Sequence, residues 1–302
     1  MTPEEILSRP ASFLTEEQRA AFFEDGYLCL EGVIAGEALS SIQSALADLV
    51  EKSRAFTETS LDCMLAPGHT AESPRLIQLR RVVDTHPAFW DYASRGTLVD
   101  VAADLVGPDV RFREAYINCK WAGTGKEVSW HQDFPFFPLT NRAMITTLTY
   151  FEDVTPEMGP IMVVPGSHRG VLYDHYDDDG KWLGRLREDD LAHAGLESAV
   201  ELAGPAGTVA IFDASSVHGS RANHSARGRP ALVTGYAAAD AYPYMSTPPP
   251  MKTRWTWDIV RGQPAPVAHL AGEHVRVPPD WGRTGYISPD WPEKNEETPR
   301  LG

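Results

Sequence analysis

Val110-Arg111-Phe112-Arg113-Glu114-Ala115-Tyr116-Ile117-Asn118-Cys119-Lys120-Trp121 opens the part of the chain that decides the fold. It is the first of a series of short runs rich in aromatic and β-branched residues, broken by Gly and Pro. Ala143 to Phe151, Pro160 to Val164, Gly207 to Phe212 and Ala231 to Ala237 are the others. Runs of this length and texture predict strands. There is no βαβ alternation and no glycine-rich phosphate loop, so the pattern predicts an antiparallel sheet pair or barrel.

Upstream of Val110 the chain reads as mainly helical, a buttress for the strands. Thr15 followed by Glu16, Glu17 and Gln18 is a capping-box start, and Gly26 is placed to end that helix in the left-handed region. Tyr27 to Leu30 reads as a short strand. Ile42, Leu46, Leu49 and Val50 recur at helical spacing within Gly36 to Lys52. A third helix fits Thr97 to Val106, stopped by Gly107-Pro108. These apolar stripes read as core.

Between the first two strand runs stands Trp130-His131-Gln132-Asp133-Phe134. In an extended backbone alternate side chains point the same way, so His131 and Asp133 are expected to project together, an imidazole and a carboxylate within reach of one ion. A third ligand has to come from elsewhere, and His218, in Asp213-Ala214-Ser215-Ser216-Val217-His218-Gly219-Ser220, is the candidate. Two imidazoles and a carboxylate on one face of an ion leave the opposite positions open, as in non-haem Fe(II) oxygenases. A His-x-Asp pair taken alone is equally a hydrogen-bonded pair at a strand end, so the surrounding residues carry the weight. Arg229, in Gly228-Arg229-Pro230, enters the last strand, and its guanidinium is a bidentate fork for the far carboxylate of a dicarboxylate co-substrate. Ser220, two residues after His218, adds a hydroxyl on the same face.

With these residues the chain resembles the phytanoyl-CoA dioxygenase family of Fe(II)- and 2-oxoglutarate-dependent oxygenases, to which ectoine hydroxylase is related, over most of its length. The family's His-x-Asp…His pattern falls on His131, Asp133 and His218, its 2-oxoglutarate arginine on Arg229 and the neighbouring hydroxyl on Ser220. Val163-Val164-Pro165-Gly166-Ser167-His168-Arg169-Gly170 is similar to its Pro-Gly-Ser/Thr-His turn, and Leu14 to Gln18 with Asp25-Gly26-Tyr27 to its opening. Asn118 matches a position that in the family helps hold the end of 2-oxoglutarate that chelates iron, Tyr116 lines the same face, and Leu148, across the sheet, is expected to wall the co-substrate. The resemblance implies a double-stranded β-helix of jelly-roll type, with Fe(II), 2-oxoglutarate and O₂ as cofactor and co-substrates. It also implies oxidation of a small metabolite or natural-product intermediate with release of succinate and CO₂. Val128 stands where the ectoine hydroxylase signature has an aromatic residue, so that substrate is not carried over. No basic cluster is available for a CoA moiety either. Halogenases of this kind replace the carboxylate ligand by a small residue, and Asp133 argues against halogenation.

Trp130, Phe134, Phe136 and Phe137 flank the motif and are expected to wall a substrate pocket. His168 reads as a turn histidine bonded to backbone carbonyls. The acidic run Asp177-Asp178-Asp179, within Tyr173 to Gly184, reads as a solvated turn. Nothing divides the chain: residues 1–302 are read as one domain, with a helical buttress over 1–109, a jelly-roll core over 110–240 and a C-terminal excursion over 241–302. In that excursion Thr247 to Pro250 and Pro264 to Pro266 are proline-rich kinks, and Asp290 to Gly302 reads as a frayed tail.

Composition narrows the partners. The net charge of −15 disfavours nucleic acid and anionic membrane surfaces. Three dispersed cysteines, Cys29, Cys63 and Cys119, lack zinc-knuckle or redox-pair spacing, and the acidic start Met1-Thr2-Pro3-Glu4-Glu5 is unlike a signal peptide. A cytoplasmic protein is expected. Two alternatives stay open: the same site catalysing desaturation, cyclisation or rearrangement, and a non-catalytic cupin-like metal- or ligand-binding protein.

Overall fold

The computed structural model describes residues 1–122, 126–272 and 274–286. The chain opens with helices α1 (Pro3–Leu7) and α2 (Glu16–Asp25), strand β1 (Tyr27–Leu30) and helix α3 (Gly36–Ser53). Strands β2 (Cys63–Leu65) and β3 (Leu76–Leu79) follow, then helices α4 (Val82–Thr85), α5 (Pro87–Ser94) and α6 (Thr97–Val106). The strand region comprises β4 (Val110–Lys120), β5 (Val128–His131), β6 (Met144–Tyr150) and β7 (Ile161–Val163). After the short helix α7 (Glu188–Leu191) come β8 (Val200–Leu202), β9 (Val209–Asp213), β10 (His218–Ser220) and β11 (Arg229–Ala238). Strand β12 (Ile259–Arg261) and helix α8 (Trp281–Thr284) belong to the C-terminal excursion.

Local signals account for many of these boundaries. Thr15 and Gln18 form the reciprocal capping box, and Gly26 closes α2 at φ 80°. Gly107, at φ 109°, ends α6 at the residue before Pro108. The strands make two antiparallel sheets. The larger runs β1-β9-β6-β11-β4-β3-β2 with β12 also paired to β4, and the smaller runs β5-β10-β7-β8.

Alternation along the strands divides the apolar side chains between two cores. Phe112, Ile117, Ile211, Leu232 and Tyr236 point outward from the large sheet and pack with Ile42, Phe89, Val101 and Leu105 of the helices. Leu148, Tyr150, Ala210, Phe212, Ala231 and Val233 point inward and meet Ile161, Val163 and Leu202 of the small sheet. This is the mainly β, jelly-roll arrangement with a helical buttress expected above.

Two features lie outside the expectations. In the mainly helical N-terminal third, β2 and β3 extend the large sheet beyond β4. Strands of three and four residues are too short for a period to register, and Gln78 interrupts the apolar run. In the C-terminal excursion, β12, between the two proline-rich segments, returns to pair with β4. The expected tail Asp290 to Gly302 lies outside the described residues. No helix among the described residues is long and apolar enough to cross a membrane.

Candidate active site

β10 pairs with β5 so that His218 lies directly opposite His131, and the two rings stand 4.1 Å apart. The pairing of two short strands thus joins histidines far apart in the chain. Asp133 arrives differently from the expected extended zigzag. β5 ends at His131, and Asp133 has helical torsions, φ −73° and ψ −34°, at the head of the 3₁₀ turn Phe134–Phe136. The turn brings its Oδ1 to 3.6 Å from Nε2 of both His131 and His218. The three ligand atoms lie within 4.8 Å of one another.

Hydrogen bonds orient each group toward the others. Nδ1 of His131 meets the carbonyl of Ser129 at 2.7 Å, and Nδ1 of His218 meets that of Ser216 at 2.9 Å. A carbonyl only accepts, so each Nδ1 carries a proton and each ring turns Nε2 toward Asp133. Burial first, then the neighbouring His131, pushes His218 down to about 3, which keeps it neutral at ordinary pH. Burial acts to raise the Asp133 carboxyl, but His218, His131 and Arg113 outweigh it and hold it below the usual carboxylate range. Thr146 Oγ1 donates to the other carboxylate oxygen, Oδ2, at 2.6 Å. Two imidazoles and one carboxylate fit a divalent first-row metal.

Gln132, between two of these residues, is fully buried and faces away from them. Its side-chain amide donates to the carbonyls of Val171 and Ser215, at 3.0 and 2.6 Å, and accepts from Tyr173 N at 2.8 Å. Its own backbone N–H donates to Nε2 of His175 at 3.1 Å. His175, which sequence reading missed, is pushed down to about 4 by burial and so remains a neutral acceptor.

The inner face of the large sheet supplies the rest of the pocket. Arg229 pairs across the ladder with Lys120, Ala231 with Asn118 and Val233 with Tyr116, and Leu148 faces Val233 from the other neighbour. Tyr116, Asn118, Leu148, Ser220 and Arg229 all line a pocket that opens on the triad. Asn118 accepts from Gln78 Nε2 at 2.8 Å, and Ser220 Oγ accepts from Lys120 Nζ at 2.6 Å. Lys120 was also missed, although it continues the alternation of Tyr116 and Asn118 on one face of β4.

Of the four aromatics expected to wall the pocket, Phe136 and Phe137 do so, joined by Tyr286 from the C-terminal excursion. Trp130 does not. As the strand neighbour of His131 it points to the opposite face, against Val164, Leu186 and Val217. Phe134 does not either, because the turn sends it into the helix-side core. His168 meets the carbonyl of Phe23 at 3.2 Å, a structural contact. Asp177 accepts from the backbone of Lys181 within its turn, and Asp178 is exposed and pairs with Arg187 at 3.4 Å.

Residues 22–231 match the phytanoyl-CoA dioxygenase family. The chain belongs to this family. Among its relatives are a probable alpha-ketoglutarate-dependent hypophosphite dioxygenase of Stutzerimonas stutzeri, 29% identical over 76% of this chain and 80% of that one. The ectoine dioxygenase of Sphingopyxis alaskensis is 29% identical over 70% of this chain and 71% of that one. The crystal structure of EctD from S. alaskensis with 2-oxoglutarate and 5-hydroxyectoine superposes with a TM-score of 0.65, at 26% identity, covering 85% of this chain and 87% of that chain. This member of the phytanoyl-CoA dioxygenase family is an Fe(II)- and 2-oxoglutarate-dependent dioxygenase.

Proposed function

We propose that this dioxygenase hydroxylates a small metabolite or natural-product intermediate, with His131 Nε2, Asp133 Oδ1 and His218 Nε2 as the iron ligands. The observation that carries the reading is the convergence of these three atoms beside a pocket lined by Arg229. Iron bound there supplies oxygen activation coupled to decarboxylation of 2-oxoglutarate to succinate and CO₂.

The chain's own residues do the rest. Arg229 holds the far carboxylate of 2-oxoglutarate through its fork, with the Ser220 hydroxyl beside it. Lys120, donating to Ser220 Oγ, orients that hydroxyl's proton away from itself and adds positive charge at the same end. Asn118 and Tyr116 contact the keto-acid end, and Leu148 walls it. Phe136, Phe137 and Tyr286 exclude water from the reacting region and offer an apolar face to the primary substrate. Asp133 occupies the position that a halide needs. The relatives include an L-proline trans-4-hydroxylase of Streptomyces griseoviridis, 31% identical over 51% of this chain and 64% of that one, beside phytanoyl-CoA dioxygenases. The reading takes the whole chain as one catalytic domain.

The experiment is incubation of the iron-loaded protein with 2-oxoglutarate and a broad metabolite panel. Substrate-dependent succinate and a product heavier by one oxygen atom support hydroxylation. A product lighter by two hydrogens, or isomeric with its substrate, replaces hydroxylation by desaturation or rearrangement at the same site. Absence of succinate across the panel counts against the enzyme reading.

A further inference from the structure

The pairing of β4 with β11 shifts register at Gly235 and Tyr236: Glu114 faces Gly235, Phe112 faces Tyr236, and Arg113 is the extra residue between them. Such a bulge re-aims a side chain. Arg113 and Glu114, only 1% and 2% exposed, form an ion pair at 2.7 Å inside the protein. On the far side of β11, Gly235 faces Thr146 of β6, so Glu114 and Thr146 flank the same glycine.

Gly235 has no side chain, and the Arg113 guanidinium fills that space. A Cβ at Gly235 would stand 2.7–2.9 Å from the guanidinium atoms. Across this gap Arg113 Nη2 donates to Thr146 Oγ1 at 3.3 Å, while the Phe137 ring covers the guanidinium at 4.6 Å. The hydroxyl has one proton, and a donor already occupies one of its lone pairs. Its proton is therefore directed at Asp133 Oδ2, 2.6 Å away.

We infer that Arg113 and Thr146 are positioning residues of the metal centre, holding Asp133 Oδ2 so that Asp133 meets the ion through Oδ1 alone. A carboxylate bound through one oxygen leaves a coordination position that a bidentate one would take, and the chemistry needs those open positions. The inference rests on the ligand role proposed for Asp133. Phe137 and Gly235 keep the guanidinium in place from either side, and Glu114 balances its charge.

The test is Mn(II) binding by the metal-free full chain, followed by electron paramagnetic resonance, in wild type, Thr146→Val, Thr146→Ser and Arg113→Lys. Partners that orient metal ligands typically cost 10–100-fold in affinity when removed, so Thr146→Val is expected to weaken Mn(II) binding by about that factor. Thr146→Ser, which keeps the hydroxyl, is expected to bind like wild type, and Arg113→Lys, which lacks the planar fork, to bind more weakly. The visible band of the anaerobic Fe(II)–2-oxoglutarate complex should move in Thr146→Val and stay in Thr146→Ser. Wild-type affinity in Thr146→Val, or equal weakening in the valine and serine variants, overturns the inference. Should Thr146→Val fail to fold, wild-type affinity in Arg113→Lys overturns it instead. Wild-type protein that binds no Mn(II) overturns the ligand assignment itself, a separate outcome.

Discussion

At the scale of single residues, the donor set was legible because it depends on side-chain type. An imidazole, a carboxylate and a second imidazole name their own chemistry wherever they lie in the chain. The groups that orient them were not legible. Thr146 and Arg113 have no chemical signature apart from their place beside Asp133. Arg229 offers the sharpest residue-level prediction. Hydrogen bonds to a charged group contribute about 1.5–3 kcal/mol, so Arg229→Ala should weaken 2-oxoglutarate binding by roughly 10–100-fold. Arg229→Lys should recover part of this, because a lysine restores the charge without the fork. Calorimetric titration of 2-oxoglutarate into the Mn(II)-loaded protein, at fixed ionic strength, measures both.

At the scale of elements, α2, α3, α6 and the longer strands followed from caps, helical spacing and β-rich texture, while β2, β3 and the turn at Asp133 did not. The segment joining β8 to β9 illustrates what such connections require. Gly207, at φ +79° just before β9, has no room for a side chain, because a Cβ would collide with the carbonyl oxygen of Ile34. Gly207→Ala is expected to lower stability by about 1–3 kcal/mol through strain alone, with the additional clash increasing the loss, as read by urea unfolding.

Asp213, at the end of β9, turns the chain by accepting from Ser215 N at 2.7 Å, and burial pushes its carboxyl up to about 6. A raised carboxyl binds its proton more tightly in the folded than in the unfolded chain, so this group's contribution is present below its unfolded value of about 4 and is lost as pH rises through about 6. Asp213→Asn keeps the accepting oxygen and removes the titration. Its stability relative to wild type should therefore improve between pH 4 and pH 6, roughly the interval between those two values. Thermal unfolding across that interval checks the sign.

At the scale of the whole molecule, two sheets, a helical buttress and a C-terminal return place the triad in the space between inward faces. Anything that binds the folded state alone stabilises all of these together. Mn(II) at about a hundredfold excess over its dissociation constant should add about 2.7 kcal/mol, seen as a higher thermal midpoint that a chelator reverses. His218→Ala should abolish that rise. A midpoint indifferent to metal in the wild-type chain would contradict a resident ion between the sheets.

By itself the sequence pointed to the residue types that could meet in a metal site and to a mainly antiparallel β fold, because side-chain chemistry and periodicity are local properties. Tertiary structure decided the rest. The pairing of β10 with β5 set His218 opposite His131, a helical turn swung Asp133 toward both, and a bulge in β4 sent Arg113 across Gly235 to Thr146. It also brought Tyr286 to the pocket wall and turned Trp130 and Phe134 away from it. The physical reason is that contacts between distant segments depend on strand register, where a shift of one residue turns a side chain from one face to the other.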